Sequence, residues 1–190
     1  GYTIGGVCSD RDVFLPAIIK KSMVAQHNRG ITLRGTVVDT ADIAEELPQI
    51  IEFLKSVRYV GMFDMEVMKT DKGLYFGELN LRCGGPSYSY FHCGINLPEL
   101  AVRTIASGRL EAADQPLMLG RCFFNNKVAW EDYMDGYLSP ADMRKLYRDC
   151  DFSLLSDDED PAPEKTFNRT MKPLYRKRRL KKKIKKLLHM

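Results

Sequence analysis

The sequence predicts an α+β fold: an antiparallel β-sheet with helices packed on one face, extended by a C-terminal helix and a basic tail. Two observations carry the sheet. Several runs rich in β-branched and aromatic residues alternate apolar with polar, and short polar turns join consecutive runs, as in antiparallel hairpins. A third observation carries the helices, which open on Asp, Asn or Ser followed by apolar residues at helical spacing.

Residues 2–8 and 13–19 are apolar runs separated by Ser9-Asp10-Arg11-Asp12, which reads as a hairpin. Residues 31–38 form a third strand. Asp39-Thr40 offers an N-cap for a helix over 41–57, which Pro48 divides or bends. Strands over 59–68 and 74–81 follow, joined by Lys69-Thr70-Asp71-Lys72-Gly73. Asn96-Leu97-Pro98 starts a helix that runs to Ser107 and stops at Gly108. Residues 121–130 read as a last strand, and Ser139-Pro140 opens a short helix through 148. The expected organisation is one lobe over 1–155, an acidic linker over 156–171 and a basic amphipathic tail helix over 172–190. No internal repeat is present, and the chain opens at Gly1 already in strand-like sequence, as a piece of a longer protein would.

An apolar fraction of 44% with 28% charged residues is that of a soluble globular protein, and no apolar run is long enough to cross a membrane. The five cysteines are scattered and form no CxxC pair, which argues against a disulfide framework or a zinc ribbon and for a cytoplasmic setting. His92 with Cys93 and Cys83 makes no recognised zinc spacing either. The net charge of +4 hides an asymmetry: ten of the 29 basic residues lie from Lys172 onward, where there is no acid. The preceding 171 residues hold 19 basic against 25 acidic residues, a net −6.

The chemistry concentrates in one hairpin, Gly61-Met62-Phe63-Asp64-Met65-Glu66-Val67-Met68, a turn, then Gly77-Glu78-Leu79-Asn80-Leu81-Arg82. A strand's side-chain period of two puts Glu78, Asn80 and Arg82 on one face, and Asp64 with Glu66 on one face of the partner strand. Two carboxylates and an amide oxygen suit Mg²⁺, a hard cation usually shared with substrate phosphates, and an arginine beside them suits phosphoryl oxygens.

This hairpin resembles the metal-binding hairpin of the ATP-grasp superfamily, in which an acid precedes an E-x-N-x-R-like strand by some dozen residues. Here Gly61 precedes Glu66 by five and Glu66 precedes Glu78 by twelve. The resemblance covers about residues 1–110 and is nearest in character to the large subunit of carbamoyl phosphate synthetase and to D-aspartate ligase-like proteins. It implies that Glu66, Glu78 and Asn80 bind Mg²⁺, or Mn²⁺, and with it ATP, and it ranks Asp64, which sits off the motif position, below Glu66. It makes Arg82 the catalytic arginine facing phosphate or substrate, and Lys20 or Lys21 the basic residue facing the phosphates, with Arg34 a weaker candidate. The loop Gly84-Gly85-Pro86-Ser87 falls where the family varies with its acceptor.

The implied activity is that of an ATP-dependent carboxylate–amine ligase that forms an acyl phosphate and couples it to an amine. Its partners would be small-molecule carboxylate and amine substrates and the N-terminal lobes of the same ligase, and a homodimer is compatible. The fragment alone is expected to be inactive. Two other readings stay open: a non-catalytic binding lobe, and a membrane- or polyanion-binding module working through the tail. In that tail Leu180, Ile184, Leu187 and Leu188 form an apolar stripe among Lys and Arg, which suits peripheral attachment to an anionic inner membrane surface. The acidic body and the lack of interleaved aromatics argue against nucleic acid.

Overall fold

The computed structural model describes residues 1–28, 30–110 and 117–188, so the last two residues of the expected tail helix lie outside them. The chain forms two compact units, Gly1–Ser22 with Gly35–Arg121, and Met23–Arg34 with the chain from Cys122 onward. Residues 1–155, expected as one lobe, contribute to both units. Strands that pass from one unit into the other leave no composition change for the sequence to show.

The first unit holds most of β1 (Tyr2–Cys8), β2 (Val13–Val24), β3 (Thr32–Val38), β4 (Gly61–Thr70) and β5 (Gly73–Asn80), hydrogen-bonded in the order β5-β4-β1-β2-β3. Strand β1 is antiparallel to both its neighbours, with Thr3 opposite Ile19 and Glu66, and Gly5 opposite Ala17 and Asp64. The β1–β2 register shifts between Gly5 and Val7, beside Leu15 and Pro16. A bulge is where a proline, having no N–H for the ladder, is tolerated in a strand. A second bulge leaves Gly77 unpaired: Glu66 faces Glu78, while Val67 faces Phe76.

The residues expected as one helix over 41–57 divide in two. Asp39 Oδ1 accepts the Ala41 N–H at 2.8 Å and caps a 3-10 turn over Thr40–Ile43. Helix α1 (Leu47–Val57) then starts with Pro48 in its first turn, where the missing N–H has no intrahelical acceptor to lose. Ile50 and Leu54 of α1 close over Tyr2, Ile4, Ile18, Phe63 and Met65, the apolar face of the sheet. All seven residues of β1 are buried, so its other face is covered as well. There α2 (Tyr88–His92) sets the Tyr90 ring on Gly5, and α3 (Leu97–Ser107) packs along β1 and β4. The class is α+β as expected, but helices cover both faces of this sheet. The small residues Thr3, Gly5 and Ala17 leave room for the second layer.

In the second unit β6 (Cys122–Phe124) pairs in parallel with β7 (Phe152–Ser153). The strand expected over 121–130 ends at Phe124. Asn125 caps α4 (Asn126–Asp135) by accepting the Val128 N–H at 3.3 Å, and buried Asn126 donates to Ser153 Oγ at 2.8 Å. The apolar residues after these asparagines therefore belong to a helix. Helix α5 (Pro140–Asp149) carries a complete capping box, with Ser139 N–H donating to Asp142 at 2.7 Å and Asp142 N–H to Ser139 Oγ at 3.1 Å.

Helix α6 runs from Ala162 to Leu188, so much of the expected linker over 156–171 is helical. Phe167 and Tyr175 of α6 are buried with Val128, Ala129 and Trp130 of α4, and Met171 packs on the same cluster. Tertiary packing of these anchors outweighs the local acidity and proline content that suggested a linker.

Candidate functional site

The β4–β5 ladder places Glu66 directly opposite Glu78, and Asp64 directly opposite Asn80. Opposed residues of an antiparallel pair point to the same side, so four oxygen-bearing side chains share one face. It is the face away from α1, because Phe63, Met65 and Val67 between them belong to the α1 core. The same bulge keeps Phe76 and Leu79 on the α1 side, where Phe76 meets Phe53 edge-on at 6.1 Å.

Lys21 comes to this face: its Nζ lies 2.7 Å from Glu66 Oε1, with 8% of its side chain exposed. Lys20 does not. Its Nζ bonds Asp42 Oδ2 at 2.8 Å and lies over the Tyr2 ring, on the α1 side. Adjacent residues of a strand point to opposite faces, so only one of the two candidates can face the acids, and the expectation for Lys20 is overturned. Arg34 belongs to the second unit, where its Nε–H donates to Cys122 Sγ at 3.2 Å.

Asn80 Nδ2 donates to Glu78 Oε1 at 2.8 Å, and its Oδ1 accepts from Arg82 Nη2 at 3.3 Å. Arg82 lies just beyond β5 and also donates to the Cys83 carbonyl at 2.9 Å. The Lys21–Glu66 pair and the Glu78–Asn80–Arg82 chain thus share one face, brought together by the opposition of Glu66 and Glu78. Among the described residues no three His, Cys, Asp or Glu side chains group closely enough to hold a metal by themselves. The donor set nevertheless fits a divalent hard cation, with two opposed carboxylates and an amide oxygen. Lys21 Nζ and the Asn80 amide group now satisfy oxygens that such a cation would take.

Asp64, ranked below Glu66 from the sequence, is the buried carboxylate of this face. It is 2% exposed, and its Oδ2 has no hydrogen-bond partner among the described residues. Burial, reinforced by the charge of Glu66, pushes its carboxyl up to about 6 against the opposing charges of Lys21 and Arg82. The Gly84 backbone stands so close that a Cβ there would lie 2.1 Å from Oδ2. Gly84 therefore walls Asp64, and a side chain at 84 would have to displace its carboxylate. The signal available in the sequence was the alternation of Asp64 with Glu66; nothing there showed its burial.

No protein-family model matches the chain, and no curated protein matches it. Solved structures do. The biotin carboxylase domain of a thermophilic 2-oxoglutarate carboxylase, bound to bicarbonate, matches 64% of this chain at 18% identity and a TM-score of 0.49. The same figures hold for the biotin carboxylase domain dimer of the Hydrogenobacter thermophilus 2-oxoglutarate carboxylase with MgADP, ADP and bicarbonate. Urea amidolyase from K. lactis also matches 64% of the chain, at 12% identity and a TM-score of 0.50. The likeness is one of fold. It agrees with the α+β class expected from the sequence. The chain spans 28% of the length of each carboxylase domain and 8% of the amidolyase.

Proposed function

We propose that this chain is the metal- and phosphate-binding lobe of an ATP-dependent ligase that activates a carboxylate as its acyl phosphate and passes the acyl group to an amine. The observation that supports this best is the β4–β5 register, which opposes Glu66 to Glu78 with Asn80 beside them and Lys21 on the same face. Glu66, Glu78 and the Asn80 amide oxygen would hold Mg²⁺, or Mn²⁺ with the same donors. The cation supplies neutralisation of the negative charge that develops on phosphoryl oxygens during transfer.

The protein's own part is positioning. Lys21 pairs with phosphate oxygens once it leaves Glu66, and Arg82 presents two N–H groups to the acyl phosphate. Asp64, walled by Gly84, adds buried charge behind Glu66. The acceptor amine would approach along the Gly84-Gly85-Pro86-Ser87 loop. Activity belongs to the protein that also supplies the other lobes of the nucleotide site; this chain by itself would bind ATP weakly.

The test is Mn²⁺ titration of the chain, following paramagnetic broadening of the Asn80 side-chain amide and the Gly84 N–H. Glu66→Gln and Glu78→Gln should each weaken Mn²⁺ binding by at least ~10-fold, since each removes a charged ligand. Broadening of Asn80 at the same Mn²⁺ concentration in both variants would sink the reading.

A further inference from the structure

Helix α6 has two unlike sides. Phe167, Met171 and Tyr175 lie against the second unit's core, Arg179 donates to the Tyr133 and Leu138 carbonyls, and Lys182 pairs with Asp135. At ~100° per residue, Leu180, Ile184 and Leu187 fall within a sector of ~60° on the opposite side, with Leu188 at its border. They are 59%, 48%, 72% and 78% exposed respectively. Single exposed apolar residues are ordinary, but a contiguous row of three leucines and an isoleucine on one helix is a surface that water disfavours. Lys177 and Lys183 border the row on either side, and no acid occurs from Lys172 onward.

Beside the row lies a groove of about 720 Å³ between α4, α5 and α6. Its floor is aromatic: Trp130 Nε1–H donates to Tyr147 Oη at 3.2 Å. Lys172 Nζ stands 4.8 Å from the Tyr147 ring centre, and Arg176 Cζ 5.4 Å from that of Trp130. Arg144 and Arg148 complete a lining with four cations and no carboxylate. Arg176 belongs to the groove and also lies next to Leu180 on the helix surface, so groove and apolar row are continuous.

We propose that α6 docks the protein on an anionic phospholipid surface, with the leucine row in the headgroup–acyl boundary and a lipid phosphate in the Trp130 groove. Charge selects this occupant. A second copy would bring another acid-free run of ten Lys and Arg against the first. A nucleic acid would use the cations and leave the leucine row in water. A bilayer carrying anionic lipid satisfies both, because the lysines bordering the row can lay their stems along apolar surface and keep their charges at the headgroups. This inference does not depend on the ligase reading.

Trp130 is the single tryptophan and sits on the groove floor, so its emission reports the site directly. The chain is mixed with vesicles of phosphatidylcholine alone or with phosphatidylserine, and binding is read by co-sedimentation and by Trp130 fluorescence. Partitioning should be at least ~25-fold stronger on the phosphatidylserine vesicles, from two or more basic residues at ~5-fold each. The exposed double variant Leu180→Asp/Leu187→Asp should lose at least ~10-fold with its helix signal in circular dichroism unchanged. Lys172→Ala/Arg144→Ala should lose ~25-fold and abolish the Trp130 response to vesicles. Equal binding to both vesicle types would overturn the proposal. So would full retention of binding in the leucine variant, or a Trp130 response to inorganic phosphate with none to phosphatidylserine. Tight binding to poly(U), indifferent to Leu180→Asp/Leu187→Asp and without vesicle binding, would assign the surface to nucleic acid instead.

Discussion

Replacing Tyr90 by Phe removes one oxygen from the middle of the first unit and tests how its two layers are joined. The Tyr90 hydroxyl accepts the Gly5 N–H at 3.0 Å and donates to the Ala17 carbonyl at 3.3 Å. Gly5 and Ala17 face each other across β1 and β2, so the hydroxyl bridges the ladder next to the register shift. Burial pushes the phenol well above its ordinary range, which keeps it neutral and able to donate. The ring reaches this place because residue 5 is glycine: a Cβ there would lie 2.7 Å from Tyr90 Cε2. Phe keeps the ring and strands a buried N–H and a buried carbonyl, at ~1–3 kcal/mol for the loss of a partner to a buried group. Urea denaturation should show that loss against a total stability of ~5–15 kcal/mol, and the Gly5 amide should exchange faster with solvent. A loss below ~0.5 kcal/mol, with Gly5 exchange unchanged, would refute the bridging role.

Gly84→Ala should destabilise the fold by ~1–3 kcal/mol through overpacking against Asp64, and the double variant with Asp64→Ala should recover part of that; additive losses would show that the two do not touch. Burial raises the Asp135 carboxyl, but the Lys182 hydrogen bond and charge, with His27, outweigh it and hold the group below its ordinary 3.8. A depressed carboxylate contributes stability that is present above the unfolded value and lost as pH falls through the folded one, so α6 should loosen below about pH 4. Hydrogen exchange along α6 at acid pH checks this, and Asp135→Asn should lack that part of the acid response. Cys122 Sγ and Cys150 Sγ lie 3.5 Å apart, with Arg34 Nε–H donating to the former. Hydrogen peroxide should therefore join them, each thiol losing a proton and one electron as peroxide is reduced to water. Mass spectrometry of non-reduced peptides reads the link, and recovery of both cysteines separately alkylated after peroxide treatment would exclude it.

The hairpin that carries the site was legible because its information is local. Period two in β4 and a short turn bring the two strands together, and the bulge at Gly77 then sets Glu66 against Glu78. The choice between Lys20 and Lys21 was not legible, since it depends on how β2 registers with β1 around Pro16, a long-range fact. Asp64 is buried by Gly84, twenty residues on, and only the folded loop shows it. Residues 121–130 misled because an apolar run suits either a strand or a buried helix; the capping role of Asn125 decides, and it requires the chain already to have turned. The second unit is assembled from two distant segments, so composition along the chain could not delimit it.

The unpaired Gly77 bears on how this site should be sought in other sequences. With Thr70 paired to Gly73, a regular hairpin would set Glu66 against residue 77, eleven positions away, and the bulge makes it twelve. Removing Gly77 would leave Phe76 facing α1 and Glu78 still facing Glu66. The interval between the two acids is thus elastic by one residue, while their opposition is not. A search for counterparts should therefore fix the pairing of the two acids and let the interval float by one residue.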